Sequence, residues 1–401
     1  MEPSALRSTI IVLCLTIGGP AILYFGILGS LIAVPSLQAH VTYLHRVALT
    51  WSKDLNVPEQ FGFARHQVTP FYISTTDGER LHSWHILPLV AYIENQPQIL
   101  SQGLEGGLVH DFGSTLNFRL LKENKSARLV LYFHGTSGTM ASGWRPDSYR
   151  SLYAADPLNT HILAFDYRGY GESSGYPSEQ GVINDALAVT DWALNTAEIP
   201  PENIVIYGQS LGSAVALALV NEYSKRYPEI RFAGLVVTAT FSDMARLTAT
   251  YRIGGIIPVL SPIAKIPPLF KYFTSQLSSK WDNMQRIAEF ITTAQQYDIT
   301  FLHAEDDADI SMEHSKRLFH EAIRVVETLG NYSGDDGQKS IDERLHDRQE
   351  QRGEGGSLTV WPTKRGPIRL EIPKYGVHDK IMSYPATSIA ISRAFARHAS
   401  S

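Results

Sequence analysis

Cysteine is almost absent from this chain: Cys14 is the only one in 401 residues. A single thiol excludes intrachain disulfides and cysteine-rich zinc sites. There is no G-x-x-x-x-G-K-[ST] phosphate loop and no H-E-x-x-H zinc helix, so neither motif-bound nucleotide nor metal is expected, and no cofactor is implied. Positive charge is not in excess. Lys and Arg number 35 against 40 Asp and Glu, a formal net charge of −5 with a pI near 6.3. Nucleic-acid binding would call for a basic patch or a basic domain, and none is seen. Charge of either sign is missing from Thr9 to Val34, a stretch of Ile, Leu, Val, Ala and Phe.

That stretch has the length needed to cross about 30 Å of hydrocarbon as a helix. We read 1–8 as a short tail, 9–34 as one transmembrane helix and 35–60 as a juxtamembrane segment. Gly18-Gly19-Pro20 interrupts the run, and such breaks are tolerated where local adjustments satisfy the freed backbone groups. A cleaved signal peptide is the rival reading. Its apolar region should span about 7 to 15 residues behind a basic start, whereas only Arg7 precedes this longer run. Arg7 on one side and Arg46 and Lys53 on the other leave the charge asymmetry that sets orientation small. Two sequons, Asn124-Lys125-Ser126 and Asn331-Tyr332-Ser333, lie in expected loops and would accept glycans in a lumenal domain.

What the chain does have is Gly208-Gln209-Ser210-Leu211-Gly212, set between an apolar run, Ile204 to Tyr207, and an Ala-rich run, Ala214 to Val220. The context is strand, sharp turn, helix, which lifts a serine hydroxyl above a sheet and makes Ser210 a candidate nucleophile. A serine needs a base, and the base needs a carboxylate to orient it. Asp298 to Leu302 reads as a strand delivering Asp306, Asp307 and Asp309 at its C-terminal edge; Asp307 is the first choice, with Asp306 its close rival and Asp309 third. Ile368 to Ile372 reads as the last strand, and His378 is the one histidine of fourteen placed just after it. Acyl transfer also needs donors for the developing oxyanion. The Leu211 N–H is one candidate. The loop His134-Gly135-Thr136-Ser137-Gly138-Thr139, after the run Arg128 to Phe133, offers Thr136 N–H, with Gly135 next.

The strand-like runs Leu129 to Phe133, Ile162 to Phe165, Ile204 to Tyr207 and Leu235 to Thr238 are separated by helix-length segments, the pattern of an α/β fold with a mostly parallel sheet covered on both faces. Asp77-Gly78 between Phe71–Thr75 and Leu81–Leu87 signals an antiparallel hairpin ahead of them. From about Phe61 to the end the chain resembles the α/β-hydrolase fold, giving an expected domain over 61–401. Asp166-Tyr167-Arg168-Gly169-Tyr170-Gly171-Glu172-Ser173-Ser174-Gly175-Tyr176-Pro177-Ser178-Glu179, with Leu302-His303-Ala304-Glu305-Asp306-Asp307 and the expected N-terminal span, is similar to a membrane-linked subgroup, the family of α/β-hydrolase domain-containing protein 12. The resemblance implies a serine hydrolase of monoacylglycerols and lysophospholipids, lysophosphatidylserine in particular. It also implies an endoplasmic reticulum membrane with a lumenal catalytic domain. The chain departs from that subgroup at Gln209, where histidine is usual, at Thr136, where asparagine is common, and in the extra carboxylate of Asp309.

Two insertions interrupt the alternation. Thr250 to Phe273, within a broader region of about 244–290, combines Ile, Leu and aromatics with Pro258, Pro262, Pro267 and Pro268, which forbid one long helix. We read it as an apolar lid. Gly330 to Gly356 is charged and Gly-rich, and is expected to be a mobile polar insertion. The expected partners are a lipid substrate and the bilayer. An acyl-protein thioesterase or an esterase of a specialised pathway would use the same four parts, and a non-catalytic membrane scaffold on this fold is the alternative from another class.

Overall fold

The computed structural model describes residues 18–103, 106–253, 256–258, 260–336 and 339–398. Ten strands form one sheet: β1 (Val68–Ser74), β2 (Arg80–Ile86), β3 (Arg128–Phe133), β4 (Thr160–Phe165), β5 (Ile204–Gln209), β6 (Gly234–Thr238), β9 (Ile299–Leu302), β10 (Gln349–Gln351), β11 (Ser357–Trp361) and β12 (Ile368–Ile372). Their order is β1-β2-β4-β3-β5-β6-β9-β12-β11-β10. The six strands from β4 to β12 in that order run parallel, and antiparallel pairs close both ends. This is the doubly covered, mostly parallel sheet that the alternation implied.

Strand periodicity explains why both faces are covered. Leu129, Leu131 and Phe133 enter one buried cluster with helix Leu211–Arg226, while Val130 and Tyr132 enter another with helix Pro385–His398. A strand buried on both sides needs an unbroken apolar run, which β3 and β5 supply.

The N-terminal side is built differently. The expected span over 9–34 lies outside the described residues as far as position 17. From there a helix, Gly19–Ala33, ends where Val34 turns extended, and Pro35 starts a second helix, Pro35–Tyr43. Among the described residues no single helix is long and apolar enough to cross a membrane; these two, bent by 106°, pass by length and composition only as a pair. Leu28 packs against Leu260, Ile263 and Phe273, whereas Ile22, Leu23, Phe25 and Ile27 are exposed.

The region after β6 starts with a helix, Met244–Thr250. It continues as short pieces, a two-stranded ribbon of β7 (Arg252–Ile253) and β8 (Ile257–Pro258) and helices Ser261–Ala264 and Pro267–Ser275, as the prolines dictate. Within the polar insertion over 330–356, expected to be mobile, the described residues carry short elements over 341–347, 349–351 and 353–355. Helix Ile341–Asp347 starts with a capping box from Ser340 and Glu343, and β10 pairs with β11. Arg344 lies over the rings of Tyr332 and Trp361 and pairs with Glu327, and Ile341 and Leu345 pack against the main core.

Candidate active site

β5 runs into Ser210, whose φ of 54° and ψ of −119° lie in a region that a non-glycine residue adopts only under constraint. Such conformations cost about 1–3 kcal/mol and cluster where a site needs them. The flanking glycines are there for space. A Cβ on Gly208 would lie 2.2 Å from the Gly212 carbonyl oxygen, and one on Gly212 would lie 1.9 Å from that of Phe133. Ser210 thus sits at the N-terminus of helix Leu211–Arg226, pinned by its own N–H to the Thr238 carbonyl at 3.0 Å.

His378, on the loop after β12, faces this serine. Its Nε2 is 3.0 Å from Ser210 Oγ and its Nδ1 is 2.8 Å from Asp307 Oδ2. A carboxylate can only accept, so Nδ1–H donates to it and Nε2 is left to take the hydroxyl proton. Burial disfavours charge on the ring. The bond to Asp307 and the nearby charges of Asp307, Asp379 and Asp309 outweigh burial and raise the pKa above its ordinary value. Asp306, the rival acid, faces elsewhere and accepts the Val377 N–H at 2.8 Å, shaping the histidine loop. Asp309 contributes its N–H to Asp307 Oδ1.

The buried Asp307 has four kinds of support. Besides His378, its Oδ1 accepts the N–H of Asp309 at 3.0 Å and of Ile310 at 2.9 Å, and His303 Nε2 lies 3.2 Å from Oδ2. His303 Nε2 also contacts the Ile310 carbonyl at 2.9 Å, so Nε2 carries the proton and Nδ1 accepts from Ser315 Oγ at 2.7 Å. Burial works to raise the Asp307 pKa, yet the bonds from His303 and His378 bring it well below the usual carboxylate range. Sequence reasoning missed His303. Its spacing four residues before Asp307 was the available signal.

The loop after β3 lies against the nucleophile: a Cβ on Gly135 would be 3.2 Å from Ser210 Cβ and 2.4 Å from Gln209 Oε1. Arg145, buried beneath, donates to the carbonyls of Gly135 at 3.0 Å, Ser137 at 2.9 Å and Thr136 at 3.3 Å, and also to that of Thr139. In a trans peptide the N–H points opposite its carbonyl. Arg145 pulling on the Gly135 carbonyl therefore turns the Thr136 N–H away from the loop's interior. Leu211, the first residue of its helix, has an N–H with no intrahelical acceptor. Gln209 bridges the parts, its Nε2 donating to the His378 carbonyl at 3.2 Å and to Asp379 Oδ1 at 3.3 Å.

Residues 130–368, more than half of the chain, match the family described as the alpha/beta hydrolase family. The chain belongs to the alpha/beta hydrolase family. Two curated relatives are similar to this hydrolase. Lysophosphatidylserine lipase ABHD12 of Danio rerio is 26% identical over 299 residues, covering 74% of this chain and 69% of its own. The Xenopus tropicalis protein of the same name is 27% identical over 290 residues, covering 71% and 66%. Among solved structures, the Pyrococcus furiosus esterase Pf2001 matches at 14% identity, covering 85% of this hydrolase and 94% of its own chain, with a TM-score of 0.48. Family and lipase-named relatives together make this hydrolase an enzyme of carboxylic ester cleavage.

Proposed function

We propose that this hydrolase is membrane-anchored and cleaves esters of single-chain lipids, lysophospholipid or monoacylglycerol, through Ser210, His378 and Asp307. The observation that carries the reading is the continuous line from Ser210 Oγ to His378 Nε2 at 3.0 Å and from His378 Nδ1 to Asp307 at 2.8 Å. His378 takes the hydroxyl proton as Ser210 Oγ attacks the ester carbonyl, and Asp307 stabilises the imidazolium. The N–H groups of Leu211 and Thr136, with Gly135 beside them, receive the oxyanion. His378 then returns the proton to the leaving alkoxide, and water attacks the acyl-serine by the same route in reverse. The lipid class rests on the lysophosphatidylserine lipase relatives and on the exposed apolar face of helix Gly19–Ala33 beside the expected lid. An endoplasmic reticulum location with a lumenal domain follows the family resemblance alone.

The test is labelling of membranes by a fluorophosphonate probe, with wild type and Ser210→Ala, in competition with lysophosphatidylserine, monoacylglycerol and an acyl thioester. Labelling should vanish in the variant and be blocked by a single-chain lipid. Equal labelling of both forms removes Ser210 from the mechanism, and blockade by the thioester alone moves the substrate to acylated protein.

A further inference from the structure

The stretch between the N-terminal helix and the hydrolase domain would ordinarily be taken for a tether. Its hydrogen bonds say otherwise. Thr136 Oγ1 donates to the carbonyls of Thr42 at 2.8 Å and Tyr43 at 2.9 Å. The Ser137 N–H donates to the same Tyr43 carbonyl at 3.0 Å, the Gly138 N–H to Val47 at 2.6 Å and Ser142 Oγ to Ala48 at 2.6 Å. Tyr170 OH, from the signature after β4, also donates to the Tyr43 carbonyl, at 2.5 Å. Four carbonyls of the 42–48 stretch are thus occupied by the loop whose Thr136 N–H is the proposed oxyanion donor and by its immediate neighbours.

The stretch is itself fixed. Tyr43 is fully buried, and its hydroxyl meets Ser279 Oγ at 2.9 Å. Gln38 clamps the segment after helix Pro267–Ser275 from both sides, donating to the Gln276 carbonyl at 3.0 Å and accepting the Ser278 N–H at 2.8 Å. Leu44, the C-cap of helix Pro35–Tyr43, has a φ of 46°, a conformation that costs an L-residue roughly 1–2 kcal/mol, and its N–H donates to the His40 carbonyl. Arg145 holds the oxyanion loop from one side by its carbonyls, and residues 42–48 hold it from the other by its N–H groups and hydroxyls.

We propose that the juxtamembrane stretch Gln38–Ala48 is a positioning element of the active site, which sets the Thr136 N–H through the Thr136 hydroxyl and the Tyr43 carbonyl. The proposal rests on the serine hydrolase reading above. Anchor and oxyanion loop are then one mechanical unit, and a displacement of the anchoring helix is felt at the point where transition-state charge develops. In this account the Thr136 hydroxyl ties the loop to the chain's own N-terminal segment.

Three full-length variants in membranes test it: Thr136→Val, which keeps shape and N–H but removes the hydroxyl, Thr136→Ser, which restores it, and Tyr170→Phe. Because a displaced oxyanion donor costs transition-state stabilisation and not ground-state binding, Thr136→Val should lower kcat about tenfold or more at nearly unchanged KM, short of the 10²–10³ for outright loss of a donor. Its affinity for a tetrahedral boronate inhibitor should fall by the same factor. Thr136→Ser should recover most of both, and Tyr170→Phe should show a smaller loss of the same kind. An unchanged kcat in Thr136→Val, or a loss that serine fails to rescue, overturns the positioning role. If Thr136→Val does not fold, Tyr170→Phe carries the decision by the same split between kcat and KM. Full activity of Ser210→Ala would overturn the underlying reading instead, so the two failures are told apart.

Discussion

The two halves of the site are held by different physics. On the side of the proposed triad, Ser210, Asp307 and His378 each stand within a few residues of the end of a parallel strand, and their spacing is set by β5, β9 and β12 in one sheet. On the N-terminal side, the helix Gly19–Ala33, the 38–48 stretch and the 251–281 region meet through contacts between segments more than 200 residues apart, such as Tyr43 with Ser279 and Leu28 with Phe273. A sheet strand is held by ladder bonds on both sides, whereas the N-terminal elements are held by apolar contacts and single hydrogen bonds to the loop after β3. The proposed proton relay stands on the first, and the proposed bracing of the oxyanion loop on the second.

Asymmetry of this kind can be broken or sharpened by substitution. The largest effect should come from the triad side: Asp307→Asn leaves the histidine without its anionic partner and should lower kcat by about 10⁴. Asp306→Asn keeps an oxygen for the Val377 N–H and should stay within a few-fold of wild type, as steady-state kinetics on a soluble short-chain ester would show. A comparable loss in both would mean that the acid role is not confined to one carboxylate.

The next effect is on the apolar side. Phe273→Ala empties the cluster around Leu28, Leu260 and Ile263, and should raise KM for a long-chain lipid several-fold while leaving turnover of a water-soluble acetate ester unchanged. Equal losses on both substrates would dissolve the distinction between the halves.

The smallest effect concerns pH. In the proposed mechanism His378 acts as a neutral base, so activity should fall as pH drops through its pKa, which Asp379 and Asp309 help to raise. Removing either charge by Asp379→Asn or Asp309→Asn must lower that pKa. The acid limb of kcat/KM should move to lower pH by a few tenths of a unit in each variant, an order expected of partly solvated charges. A shift in the opposite direction would remove both carboxylates from the account.

Legibility in the sequence follows the same division. The turn around Ser210 was readable because its requirements are local: an apolar strand, two glycines without room for a Cβ, and a small-residue helix. The choice between Asp306 and Asp307 was not, since adjacent residues on a turn point in different directions and only the folded chain shows Asp307 turned to His378. What braces the 134–139 loop left no trace at all. Its partners on one side are backbone carbonyls, which any residue carries, and the bonds join positions 94 apart. In the 330–356 insertion, Arg344 stacks on Tyr332 and Trp361, a use of charge that a count of apolar residues passes over.

The two ends of the sheet bear on how copies of this molecule meet one another. A bare edge strand invites a further strand, and short or charged edges discourage it. Here β10 is three exposed polar residues, with Arg352 between Glu350 and Glu371 just beyond it, and on the opposite end β1 carries Pro70, whose carbonyl already accepts the Val109 N–H. Neither margin offers a template for growth into a fibre. Crowding such molecules together, as confinement to a two-dimensional surface would, therefore need not join their sheets edge to edge.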